Sequence, residues 1–168
     1  MDGIGLITSV VGGVEFIAVA AIVLGAGLFV QGQRRLAARL LAAFVVTGVI
    51  EIVFKMVLPQ APVPGDALRA QDPSLWDINT PYPYPSGHIL RTVLLLGAIS
   101  LLWPNGPIRL AIVAFLVVAA ASRLYLGTHW PSDILGGAFL GIAGLAWAFE
   151  SYQPSAFSRQ PGRKEHPP

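Results

Sequence analysis

Five stretches of this 168-residue chain are so long and so continuously apolar that water is the wrong solvent for them. They run over residues 4–30, 36–58, 86–103, 108–126 and 130–149. The hydrocarbon core of a bilayer is about 30 Å thick and is crossed by about 20 residues of helix. Within it each backbone N–H and C=O must be satisfied inside the protein, which makes the helix the form such a run takes. The expected fold is therefore all-α, a polytopic transmembrane bundle of five spans. The third span is short: from Ile89 to Trp103 it reaches roughly 22 Å at about 1.5 Å per residue. It reaches farther if it begins at Ser86, and even then it starts below the membrane surface. Gly136, Gly137, Gly141 and Gly144 in the last run predict close helix packing, since small residues let backbones approach in lipid.

Composition agrees. Hydrophobic residues make up 54% of the chain and charged residues 12%, against about 25% charged in soluble domains. The net charge of +2, with no isolated basic block, leaves no footprint for nucleic acid. The absence of cysteine excludes disulfides, thiolate metal sites and cysteine nucleophiles. Residues 1–5 carry Asp2 and no Lys or Arg, so the first run lacks the basic region of a cleavable signal and is expected to be a retained span. No internal repeat marks a second domain. One transmembrane domain is expected over residues 1–150. A polar, proline-containing cytoplasmic tail follows over 151–168, expected to be disordered and to leave His166 without a role.

Basic residues set the orientation. Arg34, Arg35, Arg39, Arg109, Arg159, Arg163 and Lys164 fall on one side of a five-span alternation, and Lys55, Arg69, Arg91 and Arg123 on the other. The positive-inside rule then predicts an outside N-terminus, a cytoplasmic C-terminus and a multi-pass protein of the cell membrane. Lys55, Ser86–His88, Arg123 and His129–Asp133 come from different spans, yet all fall at the outer face.

Ionisable groups in membrane spans are costly and usually functional. His129 and Asp133 stand four apart at the start of the last helix, hence on one face and about one turn apart. Such a carboxylate can accept the imidazole Nδ1–H, fix the tautomer and leave Nε2 as a nucleophile; a pair that only caps the helix would have the same spacing. Pro85-Ser86-Gly87-His88 opens the third helix. Ser86 can cap it, Gly87 lets a ligand approach the backbone, and a helix N-terminus binds phosphate, although an ordinary capped helix start also reads this way. Arg123 ends the fourth helix. Its planar fork suits phosphoryl oxygens, and a snorkelling interfacial arginine is the plainer reading.

Taken together, Ser122-Arg123-x5-His129-x3-Asp133 with the upstream Pro-Ser-Gly-His resembles the type 2 phosphatidic acid phosphatase family. That family shares its pocket with vanadium haloperoxidases and bacterial acid phosphatases. The resemblance covers roughly residues 36–149. It implies a metal-independent lipid phosphatase with no cofactor, acting on a lipid phosphate among membrane lipids. His129 would become a phosphohistidine oriented by Asp133, and His88 would protonate the leaving oxygen and then activate water. Lys55, Ser86, the Gly87 amide and Arg123 would hold the equatorial oxygens. Only two histidines lie in the membrane part, both already employed, so a two-metal mechanism lacks ligands.

The first motif departs from the family pattern of a lysine, six residues and Arg-Pro. Lys55 is present, but Pro62 stands at the arginine's position and Val63 follows it. Arg91, three residues after His88, is the preferred substitute; an ion pair with Glu51 competes for it. Arg69 in the long loop is the second, and a loop side chain is expected to be poorly preorganised. The family's membrane members also usually have six spans with both ends inside, so the first would be absent here. Its loss would alter substrate entry or promote a homodimer. The leading substrates are a polyprenyl diphosphate, phosphatidic acid and phosphatidylglycerol phosphate, in that order. The alternative is a catalytically impaired lipid-phosphate binder or scaffold. A haloperoxidase is disfavoured because those enzymes are soluble.

Overall fold

The computed structural model describes residues 13–69, 80–150 and 152. These form five helices: α1 (Val14–Val30), α2 (Arg34–Val57), α3 (Gly87–Leu102), α4 (Gly106–Tyr125) and α5 (Pro131–Phe149). A 3-10 turn, Gly65–Ala67, lies in the described part of the long α2–α3 connection. Helices α2, α4 and α5 are long and apolar enough to cross a membrane; α1 and α3 are shorter apolar helices of 17 and 16 residues. The stretch 4–12 expected within the first span lies outside the described residues, as does the expected tail apart from Tyr152.

The chain turns sharply between α1 and α2 because Gly32 takes φ +82°, a left-handed conformation that glycine adopts without penalty. The Gln33 N–H then reaches Leu28 O (2.9 Å) and the Gly32 N–H reaches Phe29 O (3.0 Å), which satisfies two carbonyls at the end of α1. At the same end, α4 starts on Asn105, whose side chain accepts from the Ile108 N–H at 3.4 Å, with Pro107 in the first turn where no N–H is needed.

Helix α3 is the centre of the bundle, with Leu90, Leu94 and Ala98 fully buried. It lies close against α5 because glycines clear the way. A side chain at Gly137 would strike the Ser86 carbonyl, and one at Gly141 would come within 2.8 Å of Leu90 O. Gly144 admits Thr47 and Leu94 in the same manner. Apolar burial gives little drive between helices surrounded by lipid tails, so this backbone-level packing is what holds α3 to α5. A second cluster joins Ile89, Val93, Ala119 and Ile134, and so seats α4 against α3 and α5.

The surface reverses the pattern of a soluble protein. Val19, Ile22, Val45, Leu110, Val117, Leu135 and Phe139 are exposed, whereas Glu51, Ser86, Arg123 and Asp133 are buried. Apolar residues outside and polar residues within are stable when the surroundings are hydrocarbon. The protein is thus a multi-pass membrane bundle. The C-terminal ends of α2 and α4 and the N-terminal ends of α3 and α5 meet at one end of it, where the α2–α3 loop also docks: the Arg69 N–H donates to Leu126 O at 2.9 Å.

Candidate active site

The turn Leu126–Trp130 and the first turn of α5 carry the central pair. His129 precedes the N-cap Trp130, Pro131 sets the first helical position and Asp133 follows in the same turn. Asp133 is fully buried. Its Oδ2 accepts from His129 Nδ1 (3.2 Å) and from the Trp130 backbone N–H (2.9 Å). The capping and orienting readings of this spacing are therefore both realised by one carboxylate. It caps α5 through the Trp130 N–H and also lies within hydrogen-bond distance of the imidazole Nδ1.

The other carboxylate oxygen meets a residue that the motif pattern did not single out. Gln60 Nε2 donates to Asp133 Oδ1 at 2.7 Å and lies 3.1 Å from Ser132 Oγ. The next residue is pinned as well, because Trp130 Nε1 donates to Ala61 O at 2.9 Å. The only trace in the sequence was a lone amide five residues after Lys55 in a proline-rich loop. That is a weak signal, since nothing local says which side chain it will meet.

Ser86 stands at the N-cap of α3, with its N–H bound to Asp133 O at 2.9 Å, so the two helix starts are tied together. The expected side-chain cap does not form. Ser86 Oγ makes no hydrogen bond to the helix and is a fully buried polar atom without a partner among the described residues. The backbone explains this: its N–H is fixed on Asp133, and its carbonyl accepts from Leu90 N while packing against Gly137. The first amides of α3 are thereby not taken by Ser86. His88, in that first turn, is partly buried, and its carbonyl accepts from Thr92 Oγ1 at 2.7 Å.

Arg123 is 1% exposed, so it is an interior arginine and not one snorkelling to the interface. Its carbonyl accepts from both the N–H and Oγ1 of Thr128, which shapes the turn leading to His129. Ser122 spends its hydroxyl on Ala119 O at 2.8 Å.

Lys55 and Arg91 converge on one buried carboxylate. Glu51 Oε1 lies 3.1 Å from Lys55 Nζ, and Glu51 Oε2 lies 2.7 Å from Arg91 Nη1. The competing partner for Arg91 is thus the one it meets. The pair nevertheless stays at the start of α3, since a side chain at Gly87 would collide with the Glu51 carboxylate and come within 2.5 Å of Arg91 Nη2. Both side-chain ends therefore lie directly over the Gly87 backbone. Arg91 Nε is buried and without a partner among the described residues. Arg69 departs from its expectation too. Besides its backbone bond to Leu126, its guanidinium lies 4.4 Å from the Tyr125 ring centroid, so this loop residue is anchored.

The structure is a transmembrane-type helical bundle that gathers a His–Asp pair, a Pro-Ser-Gly-His helix start and several cations at one end. The chain belongs to the PAP2 superfamily, whose family model matches residues 34–156. It is 32% identical over 138 residues to an undecaprenyl-diphosphatase of Sulfolobus acidocaldarius, covering 76% of this chain and 61% of that protein. It is 38% identical over 80 residues to phosphatidylglycerophosphatase B of Escherichia coli K12, covering 45% of this chain and 31% of the relative. The chain therefore spans less than two thirds of the length of these relatives. The fold is shared with the crystal structure of a transmembrane PAP2 type phosphatidylglycerolphosphate phosphatase from Bacillus subtilis. The TM-score is 0.69 at 21% identity, over 88% of this chain and 76% of that one.

Proposed function

We propose that this chain hydrolyses the phosphate monoester or diphosphate of a membrane lipid, at the outer membrane face, through a phosphohistidine intermediate. The observation that carries the reading is the Asp133 carboxylate. It is fully buried and lies 3.2 Å from His129 Nδ1, where accepting that N–H would select the tautomer a nucleophile needs. The names of the relatives, an undecaprenyl-diphosphatase and a phosphatidylglycerophosphatase, point to the same substrate class.

In this mechanism His129 Nε2 attacks phosphorus, and the P–O bond to the lipid breaks as His88 delivers a proton to the leaving oxygen. Water then attacks the phosphohistidine, returning a proton to His88 and freeing phosphate. Transition-state charge collects on the equatorial oxygens, where fixed donors are most effective. The Gly87 amide, Ser86 Oγ, Arg123 and Lys55 fill that role. Arg91, the candidate for the cation that Pro62 cannot supply, stands at the start of α3 with its guanidinium engaged by Glu51. No metal enters the reaction. The distribution of basic residues supports a site at the outer face.

The pairing of Arg91 with Glu51 favours the second reading, a catalytically impaired lipid-phosphate binder. The hydrogen bonds around Asp133 speak against it, since a binder has no use for an oriented imidazole. Phosphate release from a panel of polyprenyl diphosphate, phosphatidic acid and phosphatidylglycerol phosphate, with the purified chain in detergent, separates the two. Turnover should persist in excess EDTA and be inhibited by vanadate, which imitates the pentacoordinate transition state. Activity that EDTA removes and Mg²⁺ restores would overturn the metal-free mechanism. Lipid binding without phosphate release from any substrate would establish the binder.

Gln60 is expected to act through Asp133. One hydrogen bond to a charged group is worth about 1.5–3 kcal/mol, so Gln60→Ala should lower kcat roughly 10- to 100-fold, with KM nearly unchanged. Gln60→Glu should be worse, because it sets a second carboxylate beside the first. Steady-state kinetics decide the matter: a raised KM at unchanged kcat would mean that Gln60 touches substrate instead.

A further inference from the structure

Between the docked α2–α3 loop and the turn that carries His129 lies a cavity of about 400 Å³, walled by Asp66, Arg69, Tyr125, His129, Trp130 and Pro131 among others. Arg69 thus shares a wall with the nucleophile. It is held there by three contacts. Its N–H is bonded to Leu126 O, and its guanidinium lies over the Tyr125 ring. The loop just before it presses into a notch at Gly127, whose φ of +68° and missing side chain let Ala67 O come close.

The cations of this end of the bundle are employed differently. Lys55 and Arg91 share Glu51, and Arg123 is interior. Arg69 is exposed, and among the described residues its guanidinium meets an aromatic face and no carboxylate within ion-pair distance. Asp66, on the same cavity, limits the net positive charge there, so the feature is one directed guanidinium and not a diffuse basic patch. If phosphorus sits against His129, this guanidinium is on offer to a second anionic group of the same substrate.

We propose that Arg69 is a specificity-determining residue that binds a second phosphate, beyond the scissile P–O bond, and so favours lipids with two phosphates over lipids with one. The assignment rests on the phosphatase reading of the site. The second phosphate is either linked directly to the first, as in a prenyl diphosphate, or separated from it by glycerol, as in phosphatidylglycerol phosphate. Both present an anion that a planar fork can grip, and phosphatidic acid does not.

The test compares the full chain with Arg69→Ala and Arg69→Lys in detergent, by steady-state kinetics on farnesyl diphosphate, phosphatidylglycerol phosphate and phosphatidic acid. Arg69→Ala should raise KM roughly tenfold for a two-phosphate substrate and change kcat less than about twofold. It should leave phosphatidic acid within about twofold, and Arg69→Lys should recover part of the loss. The two-phosphate substrate that suffers more identifies the linkage. Equal losses on all three substrates, or none on any, would overturn the proposal. A second measurement does not depend on turnover: calorimetric binding of farnesyl diphosphate and farnesyl monophosphate to His129→Ala and to His129→Ala/Arg69→Ala. A roughly tenfold weakening confined to the diphosphate supports Arg69 even if the phosphohistidine mechanism fails. Weakening of both, or of neither, sinks it.

Discussion

His129→Ala is expected to abolish phosphate release from every lipid phosphate, while leaving the bundle folded. The His129 imidazole lies 3.2 Å from a buried carboxylate and borders the cavity. Alanine removes the nucleophile but disturbs no helix packing, because His129 lies in the turn before α5. The proposed covalent intermediate forms on this imidazole, so the loss should reach the limit of detection. Trapping labelled phosphate during turnover, followed by mapping of the modified residue, checks the assignment. Label on any histidine other than His129 would overturn it.

Asp133→Asn should retain a small residue of activity, because the carboxylate orients and stabilises without itself reacting. In a Ser-His-Asp triad the same exchange lowers kcat about 10⁴-fold, and a loss of that order is expected here. The local geometry says why. The carboxylate accepts from three donors, on His129, Trp130 and Gln60, with two oxygens. An amide offers one oxygen and places an NH₂ against a donor. If the NH₂ faces His129, Nδ1 must accept, Nε2 carries the proton and the nucleophile is lost. The same oxygen caps α5, so a stability loss of about 1 kcal/mol should accompany the exchange. Thermal unfolding in detergent measured beside kcat separates the two effects. Activity falling only in proportion to the folded fraction would reduce Asp133 to a cap.

The Glu51 cluster explains why a missing motif residue need not be replaced one for one. Pro62 brings no cation, yet the same end of the bundle holds Lys55, Arg91, Arg123 and Arg69. One buried carboxylate shared by two of them lowers the repulsion of gathering like charges in a poorly solvated place.

Much of this was legible from residues alone. Apolar runs of span length form helices in lipid, and the glycines of the last run suit close packing, so five helices and a closely packed α5 follow from local chemistry, whereas its partner α3 does not. The spacing also marks His129 and Asp133 as a pair, but His129 stands before the N-cap of α5, so the turn at 126–130 and not helical periodicity sets their 3.2 Å distance. Tertiary structure decided whatever depended on a partner far away in sequence. Gln60 reaches Asp133 across 73 residues, Arg91 reaches Glu51 across 40, and Arg69 comes to the wall of the His129 cavity through a backbone bond to Leu126. Ser86 leaves its hydroxyl uncapped because α5 already holds its backbone. Helical periodicity specifies which residues share a face, since that is set within a few residues of backbone. It cannot specify which faces or loops meet, because that depends on how the whole bundle packs.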